Sequence, residues 1–220
     1  MIIKLKSMLK KVIHVAIDSP AASGAGTQAK LISKYFNLYY LDTGKLYRIL
    51  GKLYLKNKKK IDYPRFKIKI LNTRPIDLIN NSLLKTDIGM AAAFLAKNKK
   101  IRKLVDTYQK KIAHKTPKKF NGICLDGRDI TYNILPNADF KFFMTASVKV
   151  RSKRRFNELK KLNHIITYSE VLKSIKERDK SDITRKIAPL KKTKDSFLIN
   201  TTNLNINETF KKIKKIILQN

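Results

Sequence analysis

The stretch Val12-Ile-His-Val-Ala-Ile-Asp18-Ser-Pro-Ala-Ala-Ser-Gly-Ala-Gly-Thr27 decides the fold. Its first half is a short apolar run of strand length and its middle is built from small residues. From Thr27 to Phe36, Ala29, Leu31, Ile32 and Phe36 recur at helical spacing. A buried strand that passes through a tight turn into a helix is the setting of a phosphate-binding loop. There, backbone N–H groups converge on phosphate oxygens and the helix N-terminus adds a favourable dipole. The usual loop sequence is G-x-x-x-x-G-K-[ST]. Here Ser19 stands at the first glycine and Ala25 at the lysine, so the bare motif fails, and an ordinary strand-to-helix turn accounts for the same residues.

Working outward, four more apolar runs of strand length follow, Leu38 to Leu41, Gly122 to Leu125, Phe140 to Thr145 and Ser196 to Ile199. Helical patterns separate most of them. Lys45 to Leu55 carries Leu46, Ile49, Leu50 and Leu53, and the C-terminal stretch places Ile206, Phe210, Ile213 and Ile217 on one stripe. Continuous apolar strands alternating with amphipathic helices predict an α/β fold, a three-layer α/β/α core around a five-stranded parallel sheet. The pattern changes over about 57–116. Phe66 to Leu71 alternates apolar and polar residues, Ile76 to Ile79 and Ser82 to Lys85 read as strands, and Ile88 to Ala96 and Lys100 to Ala113 read as helices, giving an α+β insertion. From Arg151 to Arg185 the charge density reads as a mobile flap, in which Thr167 to Glu170 caps a helix over Val171 to Arg178. A single domain over 1–220 is expected, its core formed by 12–56 and 117–217.

The chain carries 50 Lys and Arg against 16 Asp and Glu, a formal charge of +34, which taken alone would suggest a nucleic-acid or anionic-membrane partner. Forty of these cations are lysines scattered through every predicted helix and turn, so the charge reads as a general compositional bias and nucleic acid is the less favoured partner. Against that background each of the ten arginines marks a place where a planar, bidentate fork is required. They are Arg48, Arg65, Arg74, Arg102, Arg128, Arg151, Arg154, Arg155, Arg178 and Arg185. Cys124 has no partner for a disulfide and reads as a small core residue, and the three histidines lack zinc-ligand spacing. His14 reads as strand packing. No apolar run approaches the ~18 residues that span a bilayer. Lys4, Lys6, Lys10 and Lys11 interrupt any signal-type apolar region, so a cytoplasmic location with no membrane partner is expected.

Five co-linear motifs then carry a resemblance. Asp18 to Thr27 resembles the D-G-P-A-A-S-G-K-G-T loop of bacterial cytidylate kinases. Tyr40-Leu-Asp-Thr-Gly-Lys-Leu-Tyr-Arg48 is similar to their Y-L-D-T-G-x-x-Y-R, and Asp126-Gly-Arg-Asp-Ile130 to D-G-R-D-I. Leu135-Pro-Asn-Ala-Asp139, with Phe142 to Ser147, is similar to the segment after it. Ile175-Lys-Glu-Arg-Asp179, Asp182, Arg185 and Ala188-Pro-Leu190 are similar to I-K-E-R-D-x-x-D-x-x-R-x-x-A-P-L. The motifs run in order from about Val12 to Ile217, and Arg48, Arg102, Arg128, Arg178 and Arg185 all fall inside nucleotide-contacting ones. The resemblance implies a P-loop nucleoside-monophosphate kinase in which 57–116 is the monophosphate-binding insertion and 151–185 a short LID. It further implies transfer of the γ-phosphate of ATP to CMP or dCMP, giving CDP or dCDP, with Mg²⁺ as cofactor and a monomer as the working state.

Carried over residue by residue, the resemblance gives Thr43, Arg48 and Arg128 the acceptor phosphate, since a hydroxyl and two guanidinium forks suit a dianion. Arg102 and Asp129 read the cytosine edge, the carboxylate accepting from the exocyclic amine. Arg178, Asp182 and Arg185 close over the ribose and the transferring group, so that Arg128, Arg178 and Arg185 form the catalytic set. ATP falls to Ser19, Pro20, Ala21, Ala22, Ser23, Gly24, Ala25, Gly26 and Thr27, and to Arg151 and Arg155, one helical turn apart, for which a solvated basic face is the alternative. Thr27 and Asp126 would anchor Mg²⁺ or its waters, although Asp126 serves the turn equally well. Phosphoryl transfer requires no protein nucleophile, so no covalent intermediate is expected. Five departures from the family pattern stand out: Ser19 and Ala25 in the loop, Ala93 and Ser181 where the family carries a serine and often an arginine, and Thr131-Tyr-Asn133 in place of G-T-V. Loss of the loop lysine makes a catalytically impaired nucleotide-binding homologue the alternative reading, with a nucleic-acid-binding protein third.

Overall fold

The computed structural model describes residues 12–219; the basic Met1 to Lys11 stretch, on which the signal-segment expectation rests, lies outside them. Five strands, β1 (Ile13–Asp18), β2 (Tyr39–Asp42), β3 (Gly122–Gly127), β4 (Phe140–Thr145) and β5 (Phe197–Asn200), form one parallel sheet in the order β2-β3-β1-β4-β5. This is the expected five-stranded sheet. The expected strands also lie within a residue or two of those found, because each is a short, mainly apolar run.

Alternate side chains of these strands feed two cores. Ile13, Val15 and Ile17 of β1, with Cys124, Phe142, Met144 and Ile199, pack on Ala29, Ile32 and Phe36 of α1 (Ala25–Phe36) and on Ile213 and Ile217 of α8 (Ile206–Gln219). Ala16, Leu41, Ile123 and Leu125 point the other way, onto Leu46, Ile49 and Leu50 of α2 (Thr43–Lys56) and Ile101 and Val105 of α5 (Lys99–His114). Helices therefore cover both faces, as burial of unbroken apolar strands requires. His14 instead sits beside Asp139, its Nδ1 3.6 Å from the carboxylate, at a partly exposed edge.

The insertion differs from expectation. No strand forms between α2 and β3 among the described residues; the segment is built from α3 (Tyr63–Leu71), two 3₁₀ turns (Pro75–Leu78 and Asn81–Leu84), α4 (Thr86–Leu95) and α5. Phe66, Ile68 and Ile70 look strand-like at period two, yet only Phe66 and Ile70, one helical turn apart, are buried, while Ile68 faces solvent. The Asp62 side chain accepts from Arg65 N–H at 3.0 Å and Pro64 occupies the first turn, so a capped helix start wins over the alternation. The Asn80 side chain likewise caps the second 3₁₀ turn through Ser82 N–H at 2.8 Å.

The flap is built of two helices. It consists of α6 (Val148–Lys161) and α7 (Tyr168–Thr184), which share a small core of Leu159, Val171 and Ile175. The Thr167–Glu170 capping box is present, and the helix it starts runs six residues beyond the expected Arg178 end. Many of its cations and carboxylates pair with one another or with the phosphate-loop region, as described below.

Candidate active site

Strands β1, β2 and β3 end level with one another. Asp42 pairs in register with Asp126, Ile17 with Asp126, and Asp18 with Gly127, so the carboxylates of Asp18, Asp42 and Asp126 all arise at one edge of the sheet. From that edge the loop Ser19 to Gly24 climbs to α1, with Ala22 at φ 58 and Gly24 at φ 90. Gly24 meets nothing within 4 Å of where a Cβ would lie, so its left-handed backbone is the reason for glycine there. No side chain caps α1, which leaves its first N–H groups directed into the cavity.

Asp18 locks this loop to the turn after β3. Its buried carboxylate accepts from Ile130 N–H at 2.7 Å, Thr131 N–H at 2.9 Å and the Thr131 hydroxyl at 2.6 Å. Burial outweighs these donors and pushes the carboxyl up to about 6. Tying D-G-R-D-I to the loop in this way fixes Arg128 and Asp129 relative to α1.

The loop lines a cavity of about 1580 Å³ together with Lys45, Arg48, Arg128, Arg155, Arg178 and Asp126. All nine expected loop residues, Ser19 to Thr27, lie on its wall. Arg48 reaches the carbonyls of Leu83 (2.6 Å) and Lys85 (3.2 Å), passing over Gly89, where a Cβ would stand 3.0 Å from its Nη2. Burial and then the nearby Arg178 and Arg155 guanidiniums pull Arg48 down to about 9. Arg178 is lowered to about 10 by burial and by Arg128, and its buried Nε has no hydrogen-bond partner among the described residues. Positive charge here exceeds what the local carboxylates balance, which is the electrostatic form of a site awaiting an anion.

Behind this wall lies a second cluster. Asp182 accepts from Arg128 Nε at 2.8 Å and Arg185 Nη1 at 3.4 Å, and sits 4.0 Å from Arg178 Nε. Arg185 also lies 3.7 Å from Asp129, whose other oxygen accepts from Arg102 Nη1 at 2.9 Å. The structure therefore brings together Arg102, Arg128, Asp129, Arg178, Asp182 and Arg185 as one buried network joining insertion, sheet and flap. Asn133, unassigned from sequence, donates to both Asp129 (2.8 Å) and Asp106 (3.0 Å). The usual small residue at that position gives no sign of such a bridge.

Arg102, Asp129, Asp182 and Arg185 of this network lie off the cavity wall, and two further expected ligands do as well. The Thr43 hydroxyl is buried and donates to the Asp126 carbonyl at 2.7 Å, pinning α2 to β3 rather than facing the cavity. Arg151 is 4% exposed and turned under the loop, donating to the carbonyls of Ala21 (2.9 Å) and Ala146 (2.9 Å) and pairing with Asp179 at 2.6 Å. Its neighbour Arg155 does line the cavity, held by Glu158 and the Leu84 carbonyl. Arg154, given no role from sequence, also lines it, bound to the Thr201 hydroxyl (2.9 Å) and carbonyl (2.7 Å). Its scarcity among lysines was the only signal.

Asp126 is the carboxylate nearest the start of α1. Its Oδ1 is buried with no hydrogen-bond partner among the described residues, and burial and the nearby Asp42 push its carboxyl upward when no cation is near. A Cβ built at Gly26 would lie 3.5 Å from its Oδ2, so the start of α1 passes close over this carboxylate. Such an unsatisfied oxygen beside a phosphate loop fits Mg²⁺, which takes one or two carboxylates and completes its shell with water and phosphate. The exposed Thr27 lies on the same wall. No cluster of three or more acidic, His or Cys side chains that could hold a metal forms among the described residues.

Parallel sheet, loop-to-helix turn and buried arginine network define a P-loop α/β/α kinase fold. A solved structure of an uncharacterized protein from Eubacterium ventriosum shares it, with a TM-score of 0.54 at 15% identity over 93% of this chain and 98% of that one. The family model for cytidylate kinase matches residues 15–219. Curated relatives named cytidylate kinase include one from Thermosipho melanesiensis, 40% identical over 93% of this chain and 96% of the relative, and one from Bartonella henselae, 38% identical over 89% and 90%. The chain belongs to the cytidylate kinase family.

Proposed function

We propose that the protein transfers the γ-phosphate of ATP to CMP or dCMP, as a cytoplasmic monomer. The observation that carries this reading is the convergence of the partly buried Arg48, Arg128 and Arg178 on the wall of the cavity that the phosphate loop lines. A monophosphate dianion seated between them faces the loop across the cavity, so the acceptor oxygen and the γ-phosphorus approach with their charges already compensated. Arg102 and Asp129 bind the cytosine edge, and α7, carrying Arg178, Asp182 and Arg185, excludes water. Bound Mg²⁺, held by Asp126 and Thr27, supplies charge neutralisation between the phosphates. Incubation with γ-labelled ATP and CMP tests the proposal. Label in CDP supports it; label only in inorganic phosphate, or none released, contradicts it.

A second reading, a nucleotide-binding homologue with impaired turnover, is favoured by one observation. Position 25 contributes no cation, because the Ala25 methyl is 5% exposed and packed in the apolar cluster beneath the loop. It predicts saturable ATP and CMP binding without label transfer.

A further inference from the structure

We infer that Lys45 supplies the cation that the phosphate loop lacks at Ala25, reaching the phosphate chain of ATP from the opposite wall of the cavity. The inference rests on the proposed function and goes beyond it, since the family motif leaves this position unspecified.

Lys45 lies in the first turn of α2, three residues beyond the end of β2. Its ammonium stands 3.9 Å from Asp42 Oδ2, too far for a hydrogen bond, and its side chain is 16% exposed. It lines the cavity that the phosphate loop lines. Asp42 pairs in register with Asp126 on the neighbouring strand, and the loop passes directly over Asp126 at Gly26. With adjacent strands ~4.8 Å apart, a flexible four-carbon stem rooted beside Asp42 spans the gap to the loop's anion position.

The other cations on this wall are engaged or solvated. Arg154 is committed to Thr201, Arg155 to Glu158 and the Leu84 carbonyl, Arg128 to Asp182 and Arg48 to Leu83 and Lys85. Lys30 and Lys161 are exposed, so their charge is screened by water. Arg178 is the competitor, but it sits in the arginine group assigned to the acceptor. Lys45 is the covered, loosely paired point charge, the form of cation a phosphate loop normally provides.

Lys45→Met and Lys45→Gln test this, with exposed Lys67→Met as control. Both keep helix α2 capped, because Asp42 accepts from the main-chain N–H of residue 45 at 3.2 Å and not from its side chain. The readouts are kcat with ATP and CMP, KM for CMP, and equilibrium binding of ATP measured without turnover. Loss of one preorganised donor predicts a fall in kcat of about 10², weaker ATP binding and unchanged KM for CMP. The inference is overturned if Lys45→Met matches Lys67→Met in kcat and ATP affinity, or if ATP and CMP binding fall together. If the native protein phosphorylates no monophosphate, the proposed function fails separately, and the ATP affinities alone decide on Lys45.

Discussion

Asp182→Asn removes one negative charge from among three guanidiniums. Asp182 is 3% exposed, accepts from Arg128 at 2.8 Å and Arg185 at 3.4 Å, and lies 4.0 Å from Arg178. Burial alone would raise its carboxyl, but Arg128, Arg178 and Arg185 more than offset this and hold it below the usual range, so it is ionised at neutral pH. Breaking one buried ion pair costs roughly 3–5 kcal/mol, and for a chain of this size each kcal/mol moves Tm by about 2–4 °C, so a drop on the order of 10 °C is expected. Because the folded pKa is depressed, the contribution is fully present above about pH 4 and is lost as pH falls through the folded value. The deficit of Asp182→Asn, measured by urea unfolding followed by circular dichroism, should therefore be largest at neutral pH and shrink below pH 4. A deficit under about 1 kcal/mol at pH 7 would mean that the carbonyls of Gly127 and Ala188 hold Arg128 and Arg185 unaided, and the network argument would be refuted.

Asp18 gives the opposite sign: its folded carboxyl, at about 6, lies above the unfolded 3.8, so its contribution declines by about 3 kcal/mol as pH rises between those values, and Asp18→Asn should flatten that slope in urea titrations. Arg48→Lys and Arg128→Lys keep the charge but lose the fork, and should weaken CMP binding by calorimetry more than Arg65→Lys or Arg74→Lys; four equal, small effects would show that fork geometry is not at issue. Gly51→Ala places a Cβ 2.9 Å from the Ile88 carbonyl where α2 meets α4, so about 1–3 kcal/mol of stability should be lost, checked by thermal unfolding. Asn133→Val strips the shared donor from Asp129 and Asp106 and should reduce the CMP-over-UMP preference while leaving KM for ATP unchanged.

Particular residues explain what was legible. The strands and helices of the core were, because Ile13, Val15 and Ile17 or Leu46, Ile49 and Leu50 show one unambiguous period. Phe66, Ile68 and Ile70 satisfied two periods at once, and the choice between them was made by Asp62 and Pro64 at the helix start. Arginine scarcity singled out Arg48, Arg128 and Arg178, since forty lysines provide the contrast. The same argument could not tell that Arg151 turns inward to Asp179 while Arg155, one turn on, faces the cavity, because that depends on how α6 lies against α7. Lys45 was hidden by the same excess: one lysine among forty carries no signal until its place beside Asp42 is seen.

On the proposed function, this arginine network and its Asp129 carboxylate select a cytosine monophosphate for phosphorylation by ATP although Ala25 replaces the loop lysine. The most direct test of this claim is a coupled ADP-release assay of the native protein with CMP, dCMP, UMP and AMP in parallel. The account predicts turnover with CMP or dCMP, a measurable but poorer response to UMP, since Ala93 removes one partner of the amine worth on the order of 1 kcal/mol, and little with AMP. Equal rates with CMP and UMP would contradict the role of Asp129, and no turnover with any of the four would contradict the claim itself.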